Sequence, residues 1–240
     1  MPSANTHSSW RPQLALYTAF KRFFWMTYDH IGLMILANLM WLVLSLGIVT
    51  APAATAGLAS LAARIAAGED VSVRDLLRGF REHFIPALKV GLFDLAVIVA
   101  LWVNVDFYSH LSGRAAIPGF LFAGLLIWGG AFWLLLHIHI YPLMVAGERS
   151  FRRLLRTSAL LTLDNLSLTT GLALQSLMLL MLCILTGIGI IALLSAMLSL
   201  LHATGRRELL RKYRDDIPED VPETRTWRHL WRPWETSSRG

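Results

Sequence analysis

One carboxylate, that of Asp94, lies inside a long apolar run that extends from Leu88 to Asp106. An unpaired carboxylate at the centre of a membrane helix costs about 2.5 to 3.5 kcal/mol, so such a residue usually faces a bundle interior or water. Asp94 lies only about one and a half helical turns from the start of the run, where Lys89 or Arg64 could pair with it. A functional carboxylate and a structural ion pair are therefore both open.

Two histidines, His137 and His139, lie near the end of another apolar run and suggest a metal or proton site. Residues two apart on an α-helix are separated by about 200° around its axis, so both rings cannot bind one ion from an undistorted helix. A position at the membrane interface accounts for them better than a metal site does. A solvent-accessible arrangement in which Asp94 and His137 face one another would instead favour an intramembrane enzyme.

Asn38 and Trp41 lie three residues apart, on one face of the first apolar helix. A hydrogen bond from Asn38 to a neighbouring helix is the simpler interpretation. The more specific one is a polar substrate that contacts Asn38 and stacks on Trp41. With Asp94, these residues form the candidate intramembrane polar site.

Sequence motifs for catalysis are missing. The sequence contains no P-loop, no GxGxxG after a strand, no GxSxG or HExxH motif and no carboxylates spaced for acid–base chemistry. Cys183 is the one cysteine, which excludes an internal disulfide and a cysteine-based metal site. We therefore expect no enzymatic activity, no catalytic or cofactor-binding residue, no metal and no cofactor.

The composition indicates a membrane protein. Of 240 residues, 55% are hydrophobic and only 16% are charged, whereas a soluble domain keeps roughly a quarter of its residues charged. The net charge of +6 comes from Lys and Arg that flank apolar runs, where the positive-inside rule places them. We expect membrane lipids as partners and no nucleic acid.

The apolar runs predict an all-α, polytopic transmembrane bundle with interfacial amphipathic helices. Spans are expected at Ile31 to Thr50, Leu88 to Asp106 and Pro118 to Tyr141, and the status of the Ala-rich segment Ala53 to Ala67 is ambiguous. Thr170 to His202 is long enough for one very tilted span or for two short spans that form a hairpin turning at Gly187-Ile188-Gly189.

The distribution of arginines decides the number of spans. Four spans would place two arginine-rich stretches outside the cell, whereas about six spans keep both stretches and both termini in the cytoplasm. We prefer six, with four or five as alternatives, in the inner (plasma) membrane. The domain boundaries follow: a polar tail and interfacial helix over residues 1–30, the bundle over 31–204, and a basic, Trp-rich cytoplasmic tail over 205–240.

The two arginine-rich stretches resemble each other. Each begins with Gly-Glu, at Gly68 and Gly147, and continues as an amphipathic helix with a Leu-rich stripe beside an arginine face. The predicted contacts to lipid or to a partner are Arg74, Arg78, Arg81, Arg149, Arg152 and Arg156. An internal duplication is one explanation, and the common needs of loops between spans are the other.

The residues of the first third resemble those of the YesL-like family of bacterial integral membrane proteins, whose domain has no known function. The resemblance is carried by Phe24, Trp25, Gly32, Leu33, Asn38, Leu39, Trp41, Pro52, Gly57, Gly68, Glu69, Gly79, Phe80 and Phe84. It implies structural roles for Gly32, Pro52, Gly57, Gly79 and Phe80. It also implies an auxiliary role near carbohydrate transport.

Two hypotheses follow. The first is a non-enzymatic auxiliary component of carbohydrate transport or its regulation, which contacts another membrane transport component. The second is a small secondary transporter, as an oligomer, whose polar site includes Asn38, Trp41 and Asp94.

Overall fold

A computed structural model describes residues 12–213, which form α-helices and no strand. The helices are α1 (Pro12–Asp29), α2 (Ile31–Ser45), α3 (Ala51–Ala67), α4 (Val73–Glu82), α5 (Phe84–Ser109), α6 (Ala116–Val145), α7 (Phe151–Asp164), α8 (Leu166–Thr186), α9 (Ile188–Ala192) and α10 (Leu194–Tyr213). Short 3-10 turns, Ile48–Thr50 and Gly113–Ala115, precede α3 and α6. The prediction of an all-α bundle is confirmed.

The helices follow the same order three times. Each unit has a helix that carries charged residues (α1, α4, α7), then an apolar outgoing helix (α2, α5, α8), then a return helix (α3, α6, α10). In the third unit the short helix α9 lies in the turn. The sequence indicated two related stretches, and the structure adds α1 as the first member of the series.

The junctions of the units are built alike. Single residues with non-helical ψ angles, His30, His83 and Asn165, separate the charged helix from the outgoing helix. The return helices α3 and α6 both end at a glycine with positive φ, 75° at Gly68 and 103° at Gly147. At each glycine, paired backbone hydrogen bonds close the helix end, as in a Schellman motif.

Each outgoing helix is antiparallel to its return helix. Trp41 of α2 contacts Thr55 of α3, and the rings of Tyr108 in α5 and Phe122 in α6 stack at 5.5 Å. In the third unit, Ser176 contacts His202. The chain reverses at Gly187, whose φ is +64°, so the predicted hairpin in the last apolar stretch is confirmed.

Four helical segments are long and apolar enough to cross a membrane: Ile48–Ala67, Phe84–Ser109, Ala116–Val145 and Leu166–Thr186. The chain is therefore a membrane protein, and the ambiguous Ala-rich segment belongs to a candidate span. The pair α1 and α2 passes the same test together but is bent by 88°, which gives up to five spans.

Helix length and composition support four or five spans rather than the preferred six. With 15 residues, α2 is about 22 Å long, shorter than the roughly 30 Å of hydrocarbon in a bilayer. The second half of α10 carries Arg206, Arg207 and Glu208. These charges lower its hydropathy, and the helix continues to Tyr213, past residue 204 where we placed the end of the bundle.

The three return helices contact one another in the bundle. In the segment Ile48–Ala67, which contains α3, 50% of the most apolar stretch is buried, compared with 11% of the corresponding stretch of α5. Small residues explain how α3 can lie there, since Ala53, Ala54 and Ala56 are completely buried. The long hairpin of α5 and α6 is instead largely exposed, as expected of helices that face lipid.

Two glycines allow α3 and α4 to pack closely. A Cβ atom at Gly57 would lie 2.7 Å from the Leu76 carbonyl oxygen, and one at Gly79 would lie 2.5 Å from Cβ of Ser60. Gly91 of α5 similarly accepts the ring of Pro52, which lies 2.2 Å from where its Cβ would be. Around Gly32, by contrast, a Cβ would meet no heavy atom within 4 Å.

We expect Gly57→Val to destabilise the protein, because its side chain has to separate α3 from α4. Overpacking of this kind costs about 1 to 3 kcal/mol, measurable as a lower thermal denaturation midpoint in detergent. Gly32→Val is the matched control and should stay close to wild type, because space is open at that position. Equal loss in the two variants would contradict the packing role of Gly57.

Candidate functional site

A cavity of about 210 Å³ lies between α2 and the three return helices. Its lining is Trp41 from α2, Thr55 and Ala59 from α3, His137, Tyr141 and Pro142 from α6, and Ser195, Leu198, Ser199 and His202 from α10. Indole, hydroxyl and imidazole groups therefore face an otherwise apolar space. Its volume is below the roughly 300 to 1,000 Å³ of sites for drug-sized ligands, which suits a small polar solute or several water molecules.

Asp94 and His137 form an ion-pair contact across α5 and α6. Nε2 of His137 lies 3.1 Å from Oδ2 of Asp94. Both side chains are mostly buried, with 19% of Asp94 and 25% of His137 exposed. The sequence expectations that Asp94 pairs with Lys89 or Arg64 were wrong.

The geometry of His137 fixes the number of protons in this pair. Its Nδ1 lies 3.0 Å from the carbonyl oxygen of Trp133, and because a carbonyl only accepts, Nδ1 carries a hydrogen. Nε2 and Oδ2 then need one proton between them to make a hydrogen bond. The pair holds that proton either as imidazolium with carboxylate or as neutral imidazole with carboxylic acid.

Trp41 contributes its ring to the cavity. Its Nε1 donates to Oγ1 of Thr55 at 3.1 Å, and Thr55 in turn donates to the Ala51 carbonyl at 2.9 Å. The indole N–H and the Thr55 hydroxyl hydrogen are thus already used in joining α2 to α3. A solute would meet the aromatic surface of Trp41.

His202 is oriented by Ser176. The Ser176 hydroxyl donates to the Leu172 carbonyl at 2.8 Å, so Nε2 of His202, 3.1 Å from Oγ, donates to Ser176. Nδ1 of this neutral tautomer is then an acceptor. Since Ser176 has no hydrogen left to give to His202, the two do not form a nucleophile–base pair.

His139 faces away from His137. Its Nε2 lies 3.0 Å from Oγ1 of Thr169 in α8, whereas His137 faces α5. Within residues 12–213, no group of three or more His, Cys, Asp or Glu residues is placed to hold a metal ion.

Asn38 lies outside the cavity lining and joins α2 to the break between α9 and α10. Its Nδ2 donates to the Ile191 carbonyl at 2.6 Å, and its Oδ1 accepts from the Ala196 N–H at 3.0 Å. The amide thereby satisfies two backbone groups next to the interruption between the helices. The three residues of the candidate polar site therefore do not lie together. Trp41 lines the cavity, Asp94 lies behind the lining residue His137, and Asn38 lies at the junction of α9 and α10.

Three polar residues of α10 were missed by sequence reasoning. Ser195, Ser199 and His202 line the cavity and are spaced i, i+4 and i+7, which places them on one face of a helix. This polar stripe in an apolar stretch was visible in the sequence. The stripe by itself does not show what it faces.

The arginines of α4 and α7 lie away from the cavity. Arg74, Arg78 and Arg81 line a surface groove on α4, and Arg149, Arg152 and Arg156 are exposed at α7. On the opposite faces of these helices, Leu76 and Leu154 are buried. We call the end of the bundle that holds these arginines the basic end.

Asp75 fastens α4 to the end of α3. Its Oδ2 accepts from the backbone N–H of Ser72 at 2.8 Å, and its Oδ1 contacts Arg64, which also binds Glu69 at 2.7 Å. The Ser72 N–H, and after it the charge of Arg64, hold the pKa of Asp75 below its ordinary value despite opposing desolvation. Arg64 therefore pairs with Asp75 and Glu69 and not with Asp94.

Residues 34–105 match the family described as "Protein of unknown function, DUF624". The match runs from α2 to α5 and includes Asn38, Trp41, Asp94 and the contact between Gly57 and Gly79. No curated protein and no solved structure matches the chain. Because the family description states no activity, function has to be argued from the site.

We expect Asn38→Ala to destabilise the bundle by about 1 to 3 kcal/mol, because the buried Ala196 N–H and the Ile191 carbonyl lose their partner. The free energy of unfolding in mixed micelles measures the effect. The matched control is Asn104→Ala, since Asn104 is exposed and its side-chain amide donates to the Ala100 carbonyl of its own helix. A silent Asn38→Ala would show that the junction does not need this amide.

Proposed function

We propose that this protein is a non-enzymatic membrane protein that binds a small polar solute in the central cavity, as part of solute transport or its regulation. Carbohydrates and related polyols are the proposed solute class, in line with the resemblance to the YesL-like family. The proposed location is the bacterial plasma membrane, with the basic end and both termini in the cytoplasm.

The convergence of the three return helices on one cavity, into which each of them directs polar groups, carries the proposal. Each unit contributes a lining helix, and the polar lining groups come from all three. Transporter sites typically lie where repeated units meet, with polar groups facing inward from lipid-exposed helices. Trp41 adds an aromatic surface on which the apolar face of a sugar ring can stack.

Binding of radiolabelled glucose and glycerol to the protein in lipid nanodiscs tests the proposal. Ser199→Leu places an isobutyl group in the cavity and should weaken binding by at least about tenfold, or roughly 1.4 kcal/mol. Trp41→Ala should weaken it more than Trp41→Phe, which retains an aromatic face. Leu174→Phe, at an exposed position on α8, controls for added bulk.

Two results would contradict solute binding in the cavity. One is the absence of binding of either probe to the folded wild-type protein. The other is binding that Ser199→Leu leaves unchanged, which would place the probe elsewhere. Uptake into liposomes then distinguishes a transporter from a regulator that only senses the solute.

A second candidate function, favoured by the exposed arginines of the basic end, is an auxiliary role beside another membrane transport component. The basic helices α4 and α7 directly follow the return helices α3 and α6 in the chain, and their guanidinium groups are exposed. Such groups bind lipid phosphates or acidic groups of a partner. Assembly as an oligomer is compatible with this role.

We expect Arg74→Gln/Arg78→Gln to reduce recovery of a cross-linked transport complex from native membranes severalfold, because charge-assisted contacts are lost. Quantitative mass spectrometry of the complex measures the effect. Lys89→Gln, which removes an exposed charge from α5, is the control. Unchanged recovery with the double variant would argue against docking through α4.

A further inference from the structure

The contact between Asp94 and His137 at the cavity wall depends on a single shared proton. One proton satisfies the contact between Nε2 and Oδ2, and the hydrogen on Nδ1 is committed to the Trp133 carbonyl. If the shared proton leaves, two acceptor atoms face each other at 3.1 Å. His137 cannot relieve this by shifting to its other tautomer without losing the bond to Trp133.

The second oxygen of Asp94 makes the deprotonated state still less favourable. Within the part of the chain that the structure describes, Oδ1 is buried and has no hydrogen-bond partner. A buried carboxylate oxygen without a donor is costly, more so when charged. Loss of the proton therefore creates a demand for new donors at Nε2 and at the carboxylate, and His137 faces the cavity that can supply them.

We propose that the pair is a proton-binding site that exchanges its proton for a solute with two neighbouring hydroxyl groups. Once the proton has left and Nε2 and Oδ2 have moved apart, one hydroxyl donates to Nε2 of His137 and the other reaches the carboxylate of Asp94 behind it. One proton leaves to the solvent for each solute bound, so no charge or atom is unaccounted for. The exchange rests on the proposed function, because it requires solute in the cavity.

Other titratable groups lie around the pair and shape its pH range. Tyr141 of α6 faces Asp94, and His202 faces His137 from α10. His139 is turned toward Thr169 of α8, and the charge of Arg206 acts on His139 rather than on the pair. The neighbouring lining of α2 and α3 contributes Trp41 and Thr55, which carry no charge. A charge on His202 would oppose a charge on His137, and because His202 also lines the cavity it is kept unchanged in the test.

The pH dependence of glucose and glycerol binding in nanodiscs tests the exchange. Exchange of one proton makes the wild-type affinity rise roughly tenfold per pH unit while the pair is protonated. In Asp94→Asn the amide donates to Nε2 permanently, so binding should lose this pH dependence. Asp106→Asn, which alters an exposed carboxylate at the end of the same helix, should keep the wild-type slope.

An infrared measurement follows the proton itself. A carboxylic acid band or an imidazolium ring band that shrinks as pH rises, is absent from Asp94→Asn and persists in Asp106→Asn supports the exchange when it accompanies the expected slope. Binding that is independent of pH in the wild type, or an unchanged slope in Asp94→Asn, overturns the exchange and leaves solute binding intact. Binding of neither probe at any pH overturns both.

Discussion

The small side chains of α3 are the constraint on which the rest of the bundle depends. In lipid, helices gain little from apolar burial alone, so their association relies on close packing and on hydrogen bonds. The side chains of Ala53, Ala54 and Ala56 are small and completely buried, so neighbouring helices can approach the backbone of α3 closely. At Gly57 and Gly79 the backbones of α3 and α4 also come close together. As a result α6 and α10 can both approach α3, and the polar residues they carry meet around one space.

Hydrogen bonds between helices then fix the rotation of each helix around its axis. Asn38 ties α2 to the α9–α10 break, His139 ties α6 to α8, and Ser176 ties α8 to α10. Each of these contacts pairs one donor with one acceptor. The Asp94–His137 contact differs because it depends on a proton that can leave, and it lies at the cavity wall.

Features set by local sequence could be predicted. The helical class, the two basic amphipathic helices and the reversal at Gly187 follow from hydropathy, periodicity and glycine placement. The pairing of Asp94 with His137 could only be raised as an alternative to Lys89 and Arg64, because it depends on how α5 is rotated against α6. The number of spans was also uncertain, since the short length of α2 and the charges of α10 matter only once their helix limits are known.

The cavity and the basic end are joined by the same helices. Within α3, Ala59 lines the cavity and Arg64, little more than one turn later, holds Asp75 of α4. Within α6, Pro142 lines the cavity shortly before the glycine junction that leads to α7. A solute that displaces either return helix therefore also displaces a basic helix, because a helix transmits such movement as a rigid rod. The proposed solute binding and the proposed partner docking are for this reason compatible, because both involve the same two return helices.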